Sequence, residues 1–558
     1  MNRTMSRCAS AIVVAAALLA GACSSGDGPS SSGTTVGSAP PGSSVDAAAS
    51  DLPAAIADVM GKDRYADATW SLLVTDVETG ETFYDLNGDE MSFTGSTRKL
   101  FSTGVALNEL GADHRFTTPV HRTGTVDGAG NLDGDLVLVA SGDLTFGGRR
   151  IDADTVEITD FDHNDAVNLG DAELVEADPL YAVDDLAAQV KASGINSVSG
   201  DVVVDDRLFD PYRVPNGRLL ITPMLLNENM VDVRVTPTQA GQPANVEYRP
   251  ETSAFTVDAS VTTSAAGTES TVEQSDDSFI PCIGTDGCTG TISGEIPEDY
   301  VAPLTKQDSL VTTFRVEDPP AFARSAFIDA LERHGVTVTA PAVAPNPVSA
   351  LPADQTYPAD TEVASYTSPP FAQDVRLVLK VSLNLGANLS LSLFGLTQGE
   401  RTIDGSLAAE RSTLIDDYGV DGDQFDFPTN GSGSPDSKAA PRALVQMLTA
   451  MSKTPVAADY RSSLPILGVD GSLATTGTDL AGAGHVFAKT GTTVEPGADG
   501  VPQLKAQNLA GYIETKSGRT VAYALMVNDA GPLVNFAEDI GGVFTDEAVI
   551  SSWLYENL

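Results

Sequence analysis

Residues 508–527 have the sequence NLAGYIETKSGRTVAYALMV, and their pattern predicts the central element of the fold. The stretch contains two apolar runs, 508–515 and 519–527, and the tripeptide Lys516-Ser517-Gly518 separates them. A short polar break with glycine between two such runs is typical of a β-hairpin. We therefore predict two antiparallel strands near the end of the chain.

Elements near both ends of the chain fit the same sheet. Residues 68–75, ATWSLLVT, predict a strand, and the turn signal Glu78-Thr79-Gly80 leads into a second strand around residues 82–84. After the hairpin, residues 543–555 predict an amphipathic helix. We expect one antiparallel sheet that is built from both ends of the chain and flanked by helices.

The middle of the chain has a different character. It is rich in Val, Thr and Gly, with strand signals at residues 136–139 and 201–204 and a helical pattern at residues 184–192. This mixture predicts α and β structure that is inserted between the two parts of the sheet domain.

Three short motifs follow one another in the order Ser96-Thr97-Arg98-Lys99, Ser382-Leu383-Asn384 and Lys489-Thr490-Gly491. Ser96 precedes a helical run that ends at Gly111, so Ser96 and Lys99 share one helix face. Each motif alone is more simply explained as a helix cap, a polar break or a strand end. Their joint occurrence, in this order and at these structural positions, favours one shared catalytic pocket.

The three motifs provide the groups that serine acyl transfer needs. Ser96 is the candidate nucleophile and Lys99 its base, which requires a neutral amine. Lys489 in the same pocket would lower the pKa of Lys99, because two ammonium groups about 5 Å apart repel by roughly 3 kcal/mol at an effective dielectric of about 20. Ser382 is expected to relay a proton, and Asn384 is expected to hold the substrate amide.

The third motif is expected to bind the substrate. Lys489 and the Thr490 hydroxyl form a natural site for a terminal carboxylate, and Gly491 and Thr492 continue the same strand edge. The backbone N–H groups of Ser96 and Thr492 are candidates for an oxyanion hole.

With these motifs, the chain resembles the D-alanyl-D-alanine carboxypeptidase/endopeptidase family of low-molecular-mass, class C penicillin-binding proteins. Residues 464–473, LPILGVDGSL, lead to the third motif and are similar to the family's pattern there. Residues 134–138, GDLVL, with Ser141-Gly142-Asp143 resemble the start of its inserted domain, and Lys380 also fits. The resemblance covers about residues 50–558.

The resemblance implies an α+β fold, in which a β-lactamase/transpeptidase-like domain with an antiparallel sheet and flanking helices is interrupted by inserted mixed α/β domains. We expect residues 51–118 and 346–558 to form the transpeptidase-like domain and residues 119–345 to form the insertion. The family also implies that Ser96 is acylated by peptidoglycan stem peptides that end in D-Ala-D-Ala. The last D-alanine would be released, or D-alanyl cross-links would be cleaved, and β-lactams would acylate the same residue. Asp143 would read an amino group of the substrate side chain.

The sequence departs from the family pattern at two places. Residues 430–435, NGSGSP, stand where the family tends to have Asp-Gly-Ser-Gly-Leu-Ser, at the expected floor of the pocket. Leu144 follows Asp143 where proline is usual. The first departure bears directly on the shape of the site.

The N-terminus predicts export to the cell envelope. Residues 1–22 carry Arg3 and Arg7 before a short apolar stretch, which is typical of a secretory signal peptide. They lead to Cys23 in a sequence that resembles a lipobox, so we expect a lipid on Cys23 to be the only membrane anchor. Residues 23–50 are rich in Ser, Gly and Pro and predict a flexible tether. The alternative is ordinary cleavage near Ala22 with release of a soluble enzyme.

Cysteine usage and charge narrow the remaining function classes. Cys282 and Cys288 in an exported domain predict a disulfide that closes a small loop. Neither these cysteines nor the five histidines show metal-ligand spacing, so we expect no metal and no other cofactor. The formal net charge of −45 argues against nucleic-acid binding and against docking on anionic lipid.

Residues 160–165, DFDHND, superficially resemble a calcium-binding loop. The Gly expected at the sixth position is absent, and no Glu closes the loop. We expect a solvent-exposed acidic loop here rather than a calcium site.

Two alternative functions share most of these features. A β-lactamase or esterase of the same fold would differ by rapid deacylation, and the large insertion disfavours it because a small soluble substrate needs no such platform. A catalytically idle lipoprotein that scaffolds the cell wall would bind peptidoglycan without forming an acyl-enzyme.

Overall fold

The computed structural model describes residues 52–215, 218–275, 279–497 and 500–558. The expected signal peptide at residues 1–22, the tether at residues 23–50 and the lipidation site Cys23 lie outside the described residues. Within the described part of the chain, none of the helices combines the length and the apolar character that crossing a membrane requires.

The described residues form strands throughout the chain. They are β1 Thr69–Asp76, β2 Thr82–Leu86, β3 Ser92–Phe93, β4 Thr117–Arg122, β5 Thr125–Val126, β6 Asn131–Asp133, β7 Leu136–Val139, β8 Ser197–Val198, β9 Val202–Asp205, β10 Tyr212–Arg213, β11 Leu220–Ile221, β12 Met230–Thr236, β13 Asn245–Arg249, β14 Thr256–Ser264, β15 Glu273–Gln274, β16 Phe279–Ile280, β17 Thr289–Pro297, β18 Leu310–Val316, β19 Thr337–Val338, β20 Glu362–Thr367, β21 Phe425–Asp426, β22 Lys438–Ala439, β23 Val486–Pro496, β24 Pro502–Glu514 and β25 Thr520–Pro532.

The α-helices alternate with these strands. They are α1 Ala54–Met60, α2 Lys99–Leu110, α3 Ala166–Leu169, α4 Tyr181–Ala192, α5 Pro319–Arg333, α6 Phe371–Lys380, α7 Asn384–Thr397, α8 Ile403–Asp416, α9 Pro441–Met451, α10 Ala457–Ser462 and α11 Phe536–Asn557.

A five-stranded antiparallel sheet with the order β2-β1-β25-β24-β23 joins the two ends of the chain. The β24–β25 hairpin closes at the pair Glu514 and Thr520, around the predicted turn. β1 pairs with β25 along its whole length, from Thr69 to Asp76. These pairings confirm the predicted sheet that is built from both termini.

Both faces of this sheet are covered, which explains why its strands are apolar at nearly every position. One face packs against α1 and α11, and the other packs against α2 and its neighbouring helices. Successive side chains of a strand point to opposite faces. The β25 residues on the face that packs against α1 and α11 are Val521, Tyr523, Leu525 and Val527. Those on the face that packs against α2 are Ala522, Ala524 and Met526.

The inserted region has its own sheets and its own hydrophobic core. α4 and α5 pack with the sheet β20-β4-β7-β9 and with β12 and β18 in one continuous cluster. Cys282 and Cys288 are joined by a disulfide with a Cα separation of 5.3 Å. β20 pairs with β4 beyond the boundary expected at residue 346. We therefore propose that the chain returns to the first domain after Thr367.

The loop at residues 160–165 differs from the prediction of a solvent-exposed acidic loop, because Asp162 and His163 are buried. Arg149 bonds Asp162 at 2.7 Å and also pairs with Glu228. His163 Nδ1 lies 2.7 Å from Asp232 Oδ1. The Asp162 and His163 side chains are buried because their charges meet opposite charges, which a composition argument does not reveal, whereas Asp160 is exposed as predicted.

The same cluster has the spacing of a metal site, since donor atoms of Asp162, His163 and Glu228 lie within 4.8 Å of one another. Burial alone lowers the pKa of His163, but the carboxylates of Asp232 and Glu228 outweigh burial and raise it to about 10. A protonated imidazole cannot be a metal ligand. Arg149 and the imidazolium supply the positive charge of this cluster.

A second buried ion pair lies directly behind the first motif. Arg98 donates to Glu410 on α8 from two nitrogens, at 2.7 and 2.5 Å, and both side chains are fully buried. The guanidinium also stacks over the Phe427 ring and donates to the Asn430 carbonyl. This arrangement ties the start of α2 to α8 and to the 430–433 segment.

We expect Glu410→Leu to lower the free energy of unfolding by about 3–5 kcal/mol, because it leaves the Arg98 guanidinium buried without its carboxylate. Chemical denaturation measures this loss. The double variant Arg98→Met/Glu410→Leu should recover most of it. Asp184→Ala, which breaks the partly exposed pair with Arg333, should cost less than about 1 kcal/mol. Equal losses for Glu410→Leu and Asp184→Ala would contradict the prediction.

Candidate active site

The first motif forms a short 3₁₀ turn, Gly95–Arg98, that leads into α2. Ser96 and Lys99 are both buried, and Lys99 Nζ lies 2.6 Å from Ser96 Oγ. Asn508 of β24 holds this turn by donating to the Phe93 and Thr94 carbonyls, each at 2.9 Å. The nucleophile is therefore fixed to the central sheet.

Ser382 of the second motif lies between two lysines. Lys99 Nζ donates to Ser382 Oγ at 3.3 Å, and Lys489 Nζ donates to the same oxygen at 2.9 Å. The backbone of Ser382 has φ of 64°, a left-handed conformation that costs a non-glycine residue about 1–3 kcal/mol. The structure thus brings Ser96, Lys99, Ser382 and Lys489 into one hydrogen-bonded chain.

Burial of the two lysines sets their charge states. Burial first, and the Lys489 charge second, hold the pKa of Lys99 well below its usual range. Burial lowers the pKa of Lys489 to about 7. The carboxylate of Asp165, from the inserted region, opposes both shifts. Lys99 is therefore the amine that is neutral near pH 7 and available as a base.

The third motif lies on β23. Lys489 Nζ donates to the Thr490 carbonyl at 2.9 Å, and the Thr490 hydroxyl lies 3.0 Å from Ser472 Oγ. A Cβ atom on Gly491 would lie 2.3 Å from the Thr94 carbonyl, so only glycine fits there. Lys489 Nζ lies 3.4 Å from Thr490 Oγ1, so the cation and the hydroxyl are close enough to bind one carboxylate.

The nucleophile turn and β23 approach closely at the expected oxyanion hole. Gly95 has φ of 48°, and a Cβ atom there would lie 2.5 Å from the Thr492 nitrogen. The Thr492 hydroxyl is directed away, since it donates to Gln507 at 2.7 Å. This close approach supports the assignment of the Ser96 and Thr492 N–H groups as oxyanion donors.

The segment that departs from the family pattern lines the floor of the site. Lys99 Nζ donates to the Ser432 carbonyl at 3.2 Å. Asn430 Oδ1 accepts from the Ser432 and Gly433 N–H groups, both at 2.8 Å. A Cβ atom on Gly433 would lie 2.0 Å from the Gly95 carbonyl. Asn430 thus performs the turn-stabilising role of an aspartate here.

Asn384 begins α7, and its side-chain oxygen is buried with no hydrogen-bond partner among the described residues. An unsatisfied buried acceptor costs about 1–3 kcal/mol, which a substrate N–H would recover. One turn later, Asn388 donates to the Asn384 carbonyl at 2.8 Å and to Ser432 Oγ at 3.0 Å. Sequence reasoning missed Asn388, although its spacing from Asn384 places both on one helix face.

Asp143 lies apart from this hydrogen-bonded chain. One carboxylate oxygen accepts from the Thr145 and Phe146 N–H groups at 3.1 and 3.0 Å, and the other is buried with no partner among the described residues. Burial raises the pKa of Asp143 to about 6. Its part in substrate recognition stays a prediction.

Three acidic residues near the site were not identified from the sequence. Asp165 acts on both lysines, Asp470 pairs with Lys380 just before Ser382, and Asp160 accepts from the Gly471 N–H. Two of them belong to the loop that was expected to be solvent-exposed. Only Asp470 carried a usable signal, because it lies in the stretch that leads to the third motif.

The chain is similar to known proteins over most of its length. The family model described as D-Ala-D-Ala carboxypeptidase 3 (S13) family matches residues 52–543. A D-alanyl-D-alanine carboxypeptidase of an Actinomadura species is 29% identical over 491 residues, which are 83% of this chain and 79% of that protein. The crystal structure of penicillin binding protein 4 from Haemophilus influenzae covers 90% of this chain and 99% of its own, with a TM-score of 0.61 and 18% identity. The same protein complexed with a β-lactam gives a TM-score of 0.60. This likeness confirms the predicted transpeptidase-like fold.

We expect the KM of a peptide with a free terminal carboxylate to rise as the pH increases through neutrality. Lys489 carries its charge below a pKa of about 7 and loses it above. The attraction between Lys489 and the substrate carboxylate is therefore complete below this pKa. Above it, KM rises by up to about tenfold per pH unit. KM measured against pH tests this, with the same peptide as its terminal amide for control. A parallel rise for both peptides would contradict the prediction.

Proposed function

Because the chain belongs to the D-Ala-D-Ala carboxypeptidase 3 (S13) family of serine peptidases, we propose that it removes the terminal D-alanine from peptidoglycan stem peptides through an acyl-enzyme on Ser96. The observation that carries this proposal is the hydrogen-bonded chain in which Lys99 reaches Ser96 at 2.6 Å and Ser382 joins both lysines. The site thus provides a serine nucleophile, a neutral amine as its base, a hydroxyl that relays the proton and a cation that binds the carboxylate. These groups follow one another in the order in which the reaction uses them.

In the proposed acylation, neutral Lys99 accepts the Ser96 proton as the oxygen attacks the penultimate carbonyl. The N–H groups of Ser96 and Thr492 donate to the oxygen that becomes negatively charged, an interaction typically worth on the order of a hundred- to thousandfold in rate. Collapse of the tetrahedral intermediate breaks the C–N bond. The proton passes from Lys99 through the Ser382 hydroxyl to the leaving amine.

Substrate binding is proposed to use the other motif residues. Lys489 and Thr490 hold the terminal carboxylate, and the Asn384 amide bonds the acyl-side peptide group. Water then hydrolyses the ester, with Lys99 again accepting a proton. A β-lactam mimics the peptide and acylates Ser96, but its leaving nitrogen stays tethered in the pocket and obstructs the water.

The same residues suit D,D-endopeptidase activity, because cleavage of a D-alanyl cross-link differs only in the amine that leaves. Uncross-linked and cross-linked muropeptides, incubated separately and resolved by mass, distinguish the two reactions. Loss of one alanine from the uncross-linked substrate is the expected result. Conversion of the dimer into monomers would add the second activity.

The family acts on the cell wall, which suggests that the protein is exported and works in the cell envelope. We propose that residues 1–22 direct export and that Cys23 carries the lipid, with residues 23–50 as the tether. Metabolic labelling with a fatty acid tests this. Label that is lost in Cys23→Ala supports the anchor, whereas a label-free wild-type protein in the medium supports ordinary cleavage.

Ser96→Ala is expected to abolish covalent labelling by a fluorescent penicillin, because no other hydroxyl replaces the nucleophile. Ser412→Ala is the matched control, since this exposed serine of α8 only donates to the Ala408 carbonyl at 3.2 Å. Gel fluorescence after denaturation measures the adduct.

Labelling of Ser96→Ala at the wild-type level would overturn the nucleophile assignment. Rapid release of the penicillin by the wild-type protein would favour the β-lactamase alternative. Peptidoglycan binding with no adduct on the wild-type protein would favour the idle lipoprotein.

A further inference from the structure

Lys380, the last residue of α6, lies two residues before Ser382 and is almost completely buried. Its Nζ donates to both carboxylate oxygens of Asp470 at 2.6 and 2.7 Å, and to the Leu464 carbonyl at 2.6 Å. All three N–H groups of the ammonium are thus engaged. The end of α6 is fixed to the segment that leads to the third motif.

Asp470 organises that segment as well as binding Lys380. Its Oδ1 accepts from the Ile466 N–H at 2.9 Å, which closes a tight turn. The next residue, Gly471, has φ of 59°, and a Cβ atom there would lie 2.7 Å from the Lys380 carbonyl. The two backbones are therefore in direct contact at a position where only glycine fits.

The contact continues into the third motif and into the inserted region. Ser472 Oγ lies 3.0 Å from Thr490 Oγ1, next to Lys489. Asp160, from the inserted region, accepts from the Gly471 N–H at 3.0 Å. One network therefore joins the second motif, the third motif and the insertion.

Ser382 is the residue for which this network matters most. Its left-handed backbone, with φ of 64°, persists only if the flanking residues hold it there. The Leu383 N–H bonds the Val378 carbonyl at 3.0 Å on one side, and Lys380 fixes the helix end on the other. The ion pair carries no net charge, so its effect on the two catalytic lysines is geometric.

We propose that Lys380 is a positioning residue that, through Asp470 and Gly471, holds the Ser382 hydroxyl between Lys99 and Lys489. This inference rests on the proposed acylation of Ser96. Without the ion pair, Ser382 relaxes toward a right-handed conformation and its hydroxyl leaves the two amines. The proton relay is lost, while the carboxylate site on β23 remains.

A double-mutant cycle tests whether Lys380 acts through Ser382. The acylation rate by a fluorescent penicillin is measured for the wild type, Lys380→Met, Ser382→Ala and the double variant. Lys380→Met is expected to slow acylation by about a hundredfold, the effect of a 1 Å misplacement. The double variant should be within about threefold of Ser382→Ala, because the hydroxyl that Lys380 positions is already gone.

Two further measurements separate positioning from general loss of structure. Lys380→Arg keeps a cation for Asp470 and should recover at least about tenfold of the rate lost in Lys380→Met. Arg442→Met, which removes the ion pairs that this residue of α9 makes with Asp85 and Asp89 in the same domain, should acylate at the wild-type rate. If Lys380→Met does not fold, Asp470→Asn takes its place in the cycle, since it keeps an acceptor for the Ile466 N–H.

If the rate losses of Lys380→Met and Ser382→Ala multiply in the double variant, the inference is wrong. It is also wrong if Lys380→Met acylates at the wild-type rate. Asp160→Ala tests whether the inserted region contributes to the positioning of Ser382. It should slow acylation by roughly five- to tenfold, because one hydrogen bond to the Gly471 N–H is lost. A wild-type protein that penicillin never acylates would instead refute the proposed function. The two failures are therefore distinguishable.

Discussion

Two buried amines reach the same hydroxyl, and the cost of charging both of them determines how the pocket works. Lys99 and Lys489 both donate to Ser382 Oγ, so their nitrogens are at most about 6 Å apart, where two charges repel by roughly 3 kcal/mol at an effective dielectric of about 20. Burial adds to this cost for each ammonium group. The pocket can therefore keep only one of them charged at neutral pH, and the more deeply perturbed Lys99 becomes the base. Asp165 limits the shift of both.

The features that the sequence predicted are those that depend on local pattern. The hairpin in residues 508–527 follows from two apolar runs and a glycine turn, and the pairing of Glu514 with Thr520 confirms it. The Ser96 and Lys99 side chains meet because Lys99 lies three positions after Ser96 at the start of a helix. Antiparallel strands near both ends then leave few arrangements for a single sheet. Local periodicity was sufficient for the core of the fold.

The contacts between distant segments that no motif marks are what the sequence could not predict. Lys380 and Asp470 are 90 residues apart, and Asp160 and Gly471 are 311 apart. By composition, the loop at residues 160–165 is expected to be solvent-exposed, because five of its six residues are polar or charged. Its central residues are nevertheless buried, because Asp162 pairs with Arg149 and His163 pairs with Asp232, and neither partner can be assigned before the chain is folded. An acidic composition therefore predicts solvent exposure only where no cationic residue pairs with the acids in the folded chain.

The charge state of the pocket also explains why a substrate with a free carboxylate suits it. The chain carries a formal net charge of −45, so an anion is repelled until it comes within about one Debye length, roughly 8 Å, of a local cation. With a pKa of about 7, Lys489 is only partly charged in the empty site. A bound carboxylate favours the ammonium form of Lys489, and the resulting pair carries no net charge. The pKa of Lys99 then stays low because Lys99 is buried, and its amine remains available as the base for Ser96.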